Sequence, residues 1–367
     1  MAHSQDTSPS MPELMTRLAV TLGALAIYRL GTHLPLAGID QAALANLFRR
    51  SGSGLAVERV SIFALGVSPI LSALLVVELA RLASERFNDW AGATPNARRV
   101  DHYVLIGSLL LAALQGYGMA TSLERAENLV AEPGPQFQLN AVVTFVAGTA
   151  LLVWLAALIS RHGVGSGFWI LLLAPYLASL PGLALSVYEA VHSGIMSEAA
   201  LVAVLAYVLI AMATVAALAL VLARSQMPLD RTLIWPLYIA VIPGWALVIV
   251  PWFFPNGPMR DTAAVLLNRG APVYLAALAV IVIVTSLAQW QRVVPRPAVA
   301  EPSSPRVVEG VGASLTVLTV LTLAGITVVP VFLSTKLGLP MLIDGRLMTA
   351  IVAVALAMQD MPRREEA

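Results

Sequence analysis

Ser61-Ile-Phe-Ala-Leu-Gly-Val-Ser-Pro69 lies at the head of the apolar run Val60–Leu82 and sets Gly66 and Pro69 three positions apart. Proline withdraws an amide donor and crowds the preceding turn, so the pair breaks or kinks a helix there. In a bilayer the carbonyls freed by such a break must be met by protein or by water in a cavity. A break inside an apolar span therefore predicts a packed interface or a hollow. The same signal recurs at Pro175 and Pro181-Gly182, and again at Pro236, Pro243 and Pro251. Three interrupted spans point to a hollow or moving bundle.

Working outward, ten apolar stretches can be marked: Leu18–Leu36, Val60–Leu82, Val104–Ala120, Ala141–Ile159, Phe168–Leu185, Ala199–Leu222, Leu233–Phe254, Val273–Leu287, Leu315–Leu333 and Leu347–Met358. Most are long enough to cross about 30 Å of hydrocarbon as a helix. Of the 367 residues, 58% are hydrophobic and 12% charged, against about 45–50% and about 25% in soluble domains. The expected class is an all-α polytopic membrane protein of about ten transmembrane helices.

The chemistry available to such a chain is narrow. The 22 basic residues nearly balance the 21 acids, so no long-range field draws nucleic acid. With no cysteine there is neither a disulfide frame nor a thiolate nucleophile or metal site. His3, His33, His102, His162 and His192 are scattered without a metal-binding spacing, and no metal or cofactor is expected. Gly163-Val-Gly-Ser-Gly167 lacks the Lys-Ser/Thr of a phosphate-binding loop and reads as a tight turn joining the fourth and fifth spans. No nucleophile elbow or paired intramembrane Asp is present. Arg29 and Glu78, each within a turn or two of a span's end, are expected to snorkel to the interface. Gln115 and Gln289 read as polar path or as helix-to-helix hydrogen bonds alike. A conduit is expected rather than an enzyme.

Positive residues are retained on the cytoplasmic side of short loops. With the N-terminus inside, most of the arginines fall on that side: Arg17; Arg81, Arg86, Arg98 and Arg99; Arg161; Arg224 and Arg231; Arg292, Arg296 and Arg306; Arg363 and Arg364. Arg49, Arg50 and Arg59 crowd the first outer loop. Both termini are placed in the cytoplasm. Met1–Leu14 has no secretory signal pattern and reads as a short cytoplasmic tail (1–14).

Leu18 to Asp40, with Tyr28-Arg-Leu-Gly31 and Leu34-Pro-Leu-Ala-Gly-Ile-Asp40, resembles the first helix and outer turn of the SecY family, the central subunit of the bacterial protein-conducting channel. Ser61–Pro69 is similar to the family's SIFALGIMP. Gly148-Thr149, Val153-Trp-Leu155 and Gly163–Gly167 resemble its fourth helix and GIGNG turn. Pro295-Arg296 weakly resembles its NPRE.

The resemblance implies two inverted five-helix halves, here 15–190 and 191–367, with an hourglass pore between them and a lateral gate between the second and seventh helices. It implies a SecE-like small membrane subunit, an unfolded polypeptide substrate and a bacterial inner-membrane location. By position it assigns an apolar pore ring to Val67, Leu71, Phe168, Leu172 and Ala350, with Ile234 or Ile242 nearest in the seventh helix. Gly66 and Pro69 are the second-helix break, and Gly163, Gly165 and Gly167 the cytoplasmic turn.

The chain also departs from the family. The plug region near 41–60 is reduced, with the plug itself assigned to Gly52–Val60. The connection between the sixth and seventh spans is nearly absent, and the Pro-rich loop 291–312 is trimmed. Ala157 and Ser166 replace the family's Glu and Asn. Docking of SecA or a ribosome is therefore in doubt. Two other readings stay open: a small-molecule secondary transporter, since inverted repeats and discontinuous helices serve both, and a non-conducting SecY paralogue acting as a scaffold.

Overall fold

The computed structural model describes residues 11–51, 58, 60–126, 129–225, 227–240, 242, 268, 271–293 and 307–337. Eleven α-helices are defined among them, in the order α1 (Met11–Gly31), α2 (Gln41–Ser51), α3 (Ser68–Ala83), α4 (Glu85–Gly92), α5 (Thr94–Glu124), α6 (Pro135–His162), α7 (Gly167–His192), α8 (Glu198–Arg224), α9 (Trp235–Ala240), α10 (Pro272–Val293) and α11 (Val307–Leu337). A π-helical turn, Asp230–Ile234, leads into α9. Beside them stand two isolated antiparallel bridges, Pro35 to Ser61 and Ile39 to Val130.

Seven of the described helices, α1, α5, α6, α7, α8, α10 and α11, are long and apolar enough to cross a membrane. The second apolar run is not a single helix: residues 62–67 form turns and α3 has 16 residues. The seventh run is described only to Ala240 and at residue 242, and the tenth lies outside the described residues. Helix α1 begins at Met11, inside the stretch expected to be a tail. Helix α7 runs unbroken through Pro175 and Pro181-Gly182, so those residues do not interrupt the fifth span. Helices α10 and α11 bound the Pro-rich connection at Val293 and Val307.

The chain forms two compact units. The first holds the described residues up to Ala80 together with Asp89–Pro175; the second holds Arg81–Asn88 and the described residues from Tyr176 onward.

In the first unit the α5–α6 hairpin is the main packed pair, joined by α1 against α6. Ser108, Ala112, Gly116 and Ala120, spaced four apart, are all buried on α5. Such a stripe lets two backbones approach, which matters in lipid because the hydrophobic effect does not drive helices together there. Phe145 of α6 fills the space: a Cβ on Gly116 would meet its ring at 3.0 Å. The hairpin's turn is tied by Glu124, whose carboxylate accepts the Gly134 amide at 2.7 Å and the Gln138 side chain at 2.6 Å. Gln115 of α5 donates to Ser72 of α3 at 3.4 Å.

Above this hairpin Leu36, Ile39, Val60, Leu129, Val130 and Phe137 close a small apolar core. Beneath it Phe63, 4% exposed, slots between α1 and α6. A Cβ on Gly31 would overlap the Phe63 ring, and one on Gly148 would lie 2.7 Å from the Ile62 carbonyl and 3.3 Å from that ring. Tyr28 stacks on the same ring, with centroids 5.9 Å apart.

In the second unit α10 packs on α11 and on α9 with its π-turn. Thr285 of α10 donates to the Pro236 carbonyl at 3.2 Å. Arg292, at the end of α10, donates to the Leu82 carbonyl at 2.8 Å and pairs with Glu85 at 2.7 Å. It thereby caps one of the last carbonyls of α3 with a cation, the favourable charge at a helix C-terminus.

The slot around Phe63 leaves no room for a methyl group. Gly148→Ala is expected to cost about 1–3 kcal/mol of overpacking strain, since the Ile62 carbonyl is backbone and the ring is enclosed. Gly31→Ala should be partly relieved by Phe63→Leu, whereas Gly148→Ala should not. Unfolding of the purified protein in detergent checks both; equal relief at the two glycines would contradict this packing.

Candidate functional site

The candidate site is assembled from two chain breaks in the first unit. The first is the approach to α3. The Leu36 amide donates to the Val60 carbonyl and the Ile62 amide to Leu34, both at 2.9 Å, so the segment enters as a short antiparallel pair. Tight turns follow, with Ala64 N–H bonded to Ser61 at 3.0 Å and Gly66 N–H to Phe63 at 2.8 Å. Gly66 has φ +52, a left-handed conformation that glycine adopts without steric cost. Val67 then offers its carbonyl to the Leu71 amide at 2.9 Å, and α3 starts. Pro69 is its second residue, where the missing amide would have had no helical partner anyway. Gly66 ends the turns and Pro69 opens the helix, so the break is a change of structure rather than a bend. Val67 is buried and Leu71, one turn on, half-buried.

The second break joins α6 to α7. The Gly163 amide donates to the Ile159 carbonyl at 2.7 Å, the Val164 amide to Thr21 Oγ1 of α1 at 3.0 Å, and the Gly167 amide to Ser160 Oγ at 2.8 Å. These amides are spent on protein acceptors, which suits a tight turn rather than an anion cradle. Crowding dictates the glycines: a Cβ on Gly163 would sit 2.6 Å from Thr21 Oγ1, and one on Gly167 would overlap the Ala156 carbonyl. Gly165 has φ +71. Ser166 accepts from the Ile170 amide at 3.1 Å, which starts α7. Phe168 then packs edge-on to Trp169, ring centroids 4.8 Å apart, and Leu172, one turn later, is buried at 6% exposure.

Val67 with Leu71 and Phe168 with Leu172 are thus two apolar i, i+4 pairs, each at the start of a helix that follows a glycine-bearing break. Helices α3 and α7 are not closely packed on one another. Ile234 lies in the second unit, buried at 1% exposure in the π-turn, and Ile242 is half-buried. Ala350 lies outside the described residues, as do residues 52–57 and 59 of the plug region. Asp230 opens the π-turn; burial pushes its carboxyl above the usual carboxylate range, while its own backbone amide, the Trp235 side chain and the Arg81 charge pull it back.

Sequence reasoning misread one charge and passed over three partners. Arg29 lies exposed in the last turn of α1 and also pairs with Glu58, a partner the sequence reading passed over. Glu78 is buried at 7% exposure, because it lies more than a turn before the end of α3, still inside the packed part of that helix. Thr21, which holds the glycine turn, carries no signal as a lone hydroxyl in an apolar run. Phe63 had one in retrospect, the two glycines opposite it.

Thr21→Val keeps the shape and deletes the acceptor for the Val164 amide. A stability loss of about 1–3 kcal/mol is expected for the stranded donor, with Gly167→Ala at least as costly. An unchanged unfolding midpoint for Thr21→Val would show that the turn holds itself.

Comparison with known proteins follows the same line. Residues 61–231 match the SecY family model. The protein translocase subunit SecY of Escherichia coli K12 is 35% identical over 191 residues, 48% of this chain and 43% of that protein. The Vibrio cholerae protein of the same name is 38% identical over 183 residues, 47% and 41% of the two chains. The chain matches less than half the length of either. Among solved structures, Sec61 in the canine ribosome–channel complex from the endoplasmic reticulum superposes with a TM-score of 0.56 at 13% identity, covering 98% of this chain and 95% of that one. A second, described as the structure of a protein conducting channel, gives 0.54 at 13% identity over the same shares. These likenesses show the fold.

Proposed function

We propose that the chain is a SecY-family protein and that it forms a reduced protein-conducting channel for translocation or membrane insertion of unfolded polypeptide. The observation that carries the reading is the broken second span: the Ser61–Pro69 motif is folded as turns that deliver Val67 and Leu71 at the head of a short helix. Phe168 and Leu172 occupy the equivalent place after the second break. On this reading the four contribute to an apolar constriction. Such a constriction excludes water and ions by dewetting, yet its soft side chains part around a peptide because they demand no particular hydrogen bond.

The orientation proposed is N-in and C-in in a bacterial inner membrane, with a SecE-like small subunit as partner. The connection from α8 to the π-turn is only Ser225–Leu229, and Leu229 is itself buried. So short a connection offers no extended surface to a SecA-type motor or a ribosome, which favours movement driven by another partner. The same feature supports one second reading, a non-conducting scaffold for a full-length SecY.

Val67→Ser with Leu71→Ser is expected to raise ion conductance of the purified protein in a planar bilayer by an order of magnitude or more. Unchanged conductance with the unfolding transition intact would count against the ring. The chain has no cysteine, so Leu71→Cys or Leu172→Cys places a single crosslinking site against a stalled secretory chain. Persistent absence of crosslinks, with recovery only alongside a second full-length SecY, would favour the scaffold.

A further inference from the structure

Helices α3 and α4 meet at an elbow of one residue, Ser84. Its Oγ accepts the Phe87 amide at 3.3 Å and its carbonyl the Asn88 amide at 3.0 Å, so Ser84 caps the start of α4. Arg81 stands in the last turn of α3 and Glu85 in the first turn of α4. Each carries the sign that its helix end favours. The elbow therefore presents one cation and one anion four positions apart.

Arg292, in the last turn of α10, spans this elbow with one guanidinium. Its Nη2 donates to the Leu82 carbonyl at 2.8 Å and its Nη1 pairs with Glu85 Oε1 at 2.7 Å. Two different nitrogens thus hold the two limbs, which a planar fork can do and a point charge cannot. On the other side the charge of Arg81 acts on the Asp230 carboxylate, which also accepts a hydrogen bond from the Trp235 side chain. Residues 81–88, the π-turn and α10 all belong to the second unit.

One group works against this arrangement. Gln289 lies three positions before Arg292 on α10 and is 2% exposed, yet its Nε2 has no hydrogen-bond partner among the described residues. A buried amide donor left unmet disfavours the state that buries it. The end of α10 is therefore held by charge on the elbow and opposed by its own amide one turn away. Opposing terms of this kind make a contact that is poised to open rather than simply packed.

We propose that Arg292 is the pin of a clasp that holds the α3–α4 elbow on the end of α10 against the unmet Gln289 amide. Arg292 and Glu85 are positioning residues. The link from clasp to ion seal rests on the channel reading above: α3 is a 16-residue helix whose tail is pinned by Arg292 and whose head follows Val67 and carries Leu71. Releasing the pin lets Gln289 reach water and lets the tail of α3 leave α10.

Hydrogen exchange of the full chain in nanodiscs reads the clasp at the Phe87 and Asn88 amides. In Glu85→Gln, a change at a half-exposed position, they should exchange up to about fivefold faster, the range of a partly exposed ion pair. Arg292→Gln, which loses both contacts, should exceed that, and Arg292→Lys should fall between Arg292→Gln and the unaltered chain. The Gly116 and Phe145 amides report that the fold is intact and should not change. Gln289→Leu, of similar size, should slow exchange and reverse part of the Arg292→Gln effect. Unchanged exchange in Arg292→Gln, or Arg292→Lys behaving as the unaltered chain, overturns the pin. Faster exchange in Gln289→Leu overturns the opposing role of the amide.

Conductance separates this from the channel reading. Added leak in Arg292→Gln, lessened by Gln289→Leu, joins clasp to seal. If Val67→Ser with Leu71→Ser leaks but Arg292→Gln does not, the sealing role of the clasp is overturned. If neither leaks while exchange responds, the clasp stands and the channel reading falls.

Discussion

The packing of one aromatic ring orders the first unit. Phe63 stands between Gly31 of α1 and Gly148 of α6, against the face of Tyr28, with no room for a methyl group on either side. In water the burial of a phenyl ring would be its own driving force, but between lipid-facing helices transfer gains almost nothing and close contact supplies the stabilisation. That makes shape decisive. A ring that fits two backbone notches fixes the spacing of α1 and α6 and also where the connecting turn must pass.

The other features of the unit follow from that fixed point. Because Phe63 is held, residues 60–62 are presented to Leu34–Leu36 in register, and the Pro35–Ser61 bridge forms. Because the turn must then reverse within a few residues, a left-handed position is needed, and Gly66 supplies it. Pro69 can follow at no cost only because α3 starts there. The glycine turn at 163–167 obeys the same economy against the middle of α1, where Thr21 takes the place of the ring and a hydroxyl takes the place of shape.

Much of this was legible in the chain, and the reasons it was or was not are physical. Apolar run length reports helix existence in lipid, so seven of the runs reappear as long apolar helices. Run length is blind to turns made of apolar residues: Val60–Val67 reads as membrane span, yet its amides bond to carbonyls in adjacent turns and to Leu34. Gly66 with Pro69 gave the location of that failure. Pro175 and Pro181 gave a false one, since α7 continues through both. Proline reports a missing donor, and whether the helix breaks depends on neighbours that a single sequence does not display. The ion-pair partner of Arg29 was missed for a related reason. Snorkelling is a property of one side chain and a membrane, whereas its partner Glu58 lies 29 positions on and meets it only once Phe63 has set the loop. The ring assignments on Val67, Leu71, Phe168 and Leu172 came from resemblance, and periodicity alone would have read them as ordinary core.

The short path from α8 into the π-turn bears on how such a protein could work. Leu222, Leu229, Leu233 and Ile234 are all buried on either side of it, so much of this stretch is spent on packing, with Ser225 and Pro228 the exposed positions among the described residues of the connection. A channel that engages a motor through a long loop can convert docking into movement of the helix the loop joins. With five residues between α8 and the π-turn, any pull on that connection acts at once on a buried π-helical segment, a geometry associated with strain and with functional sites. On the channel reading, control of opening must then come from elements with looser attachment.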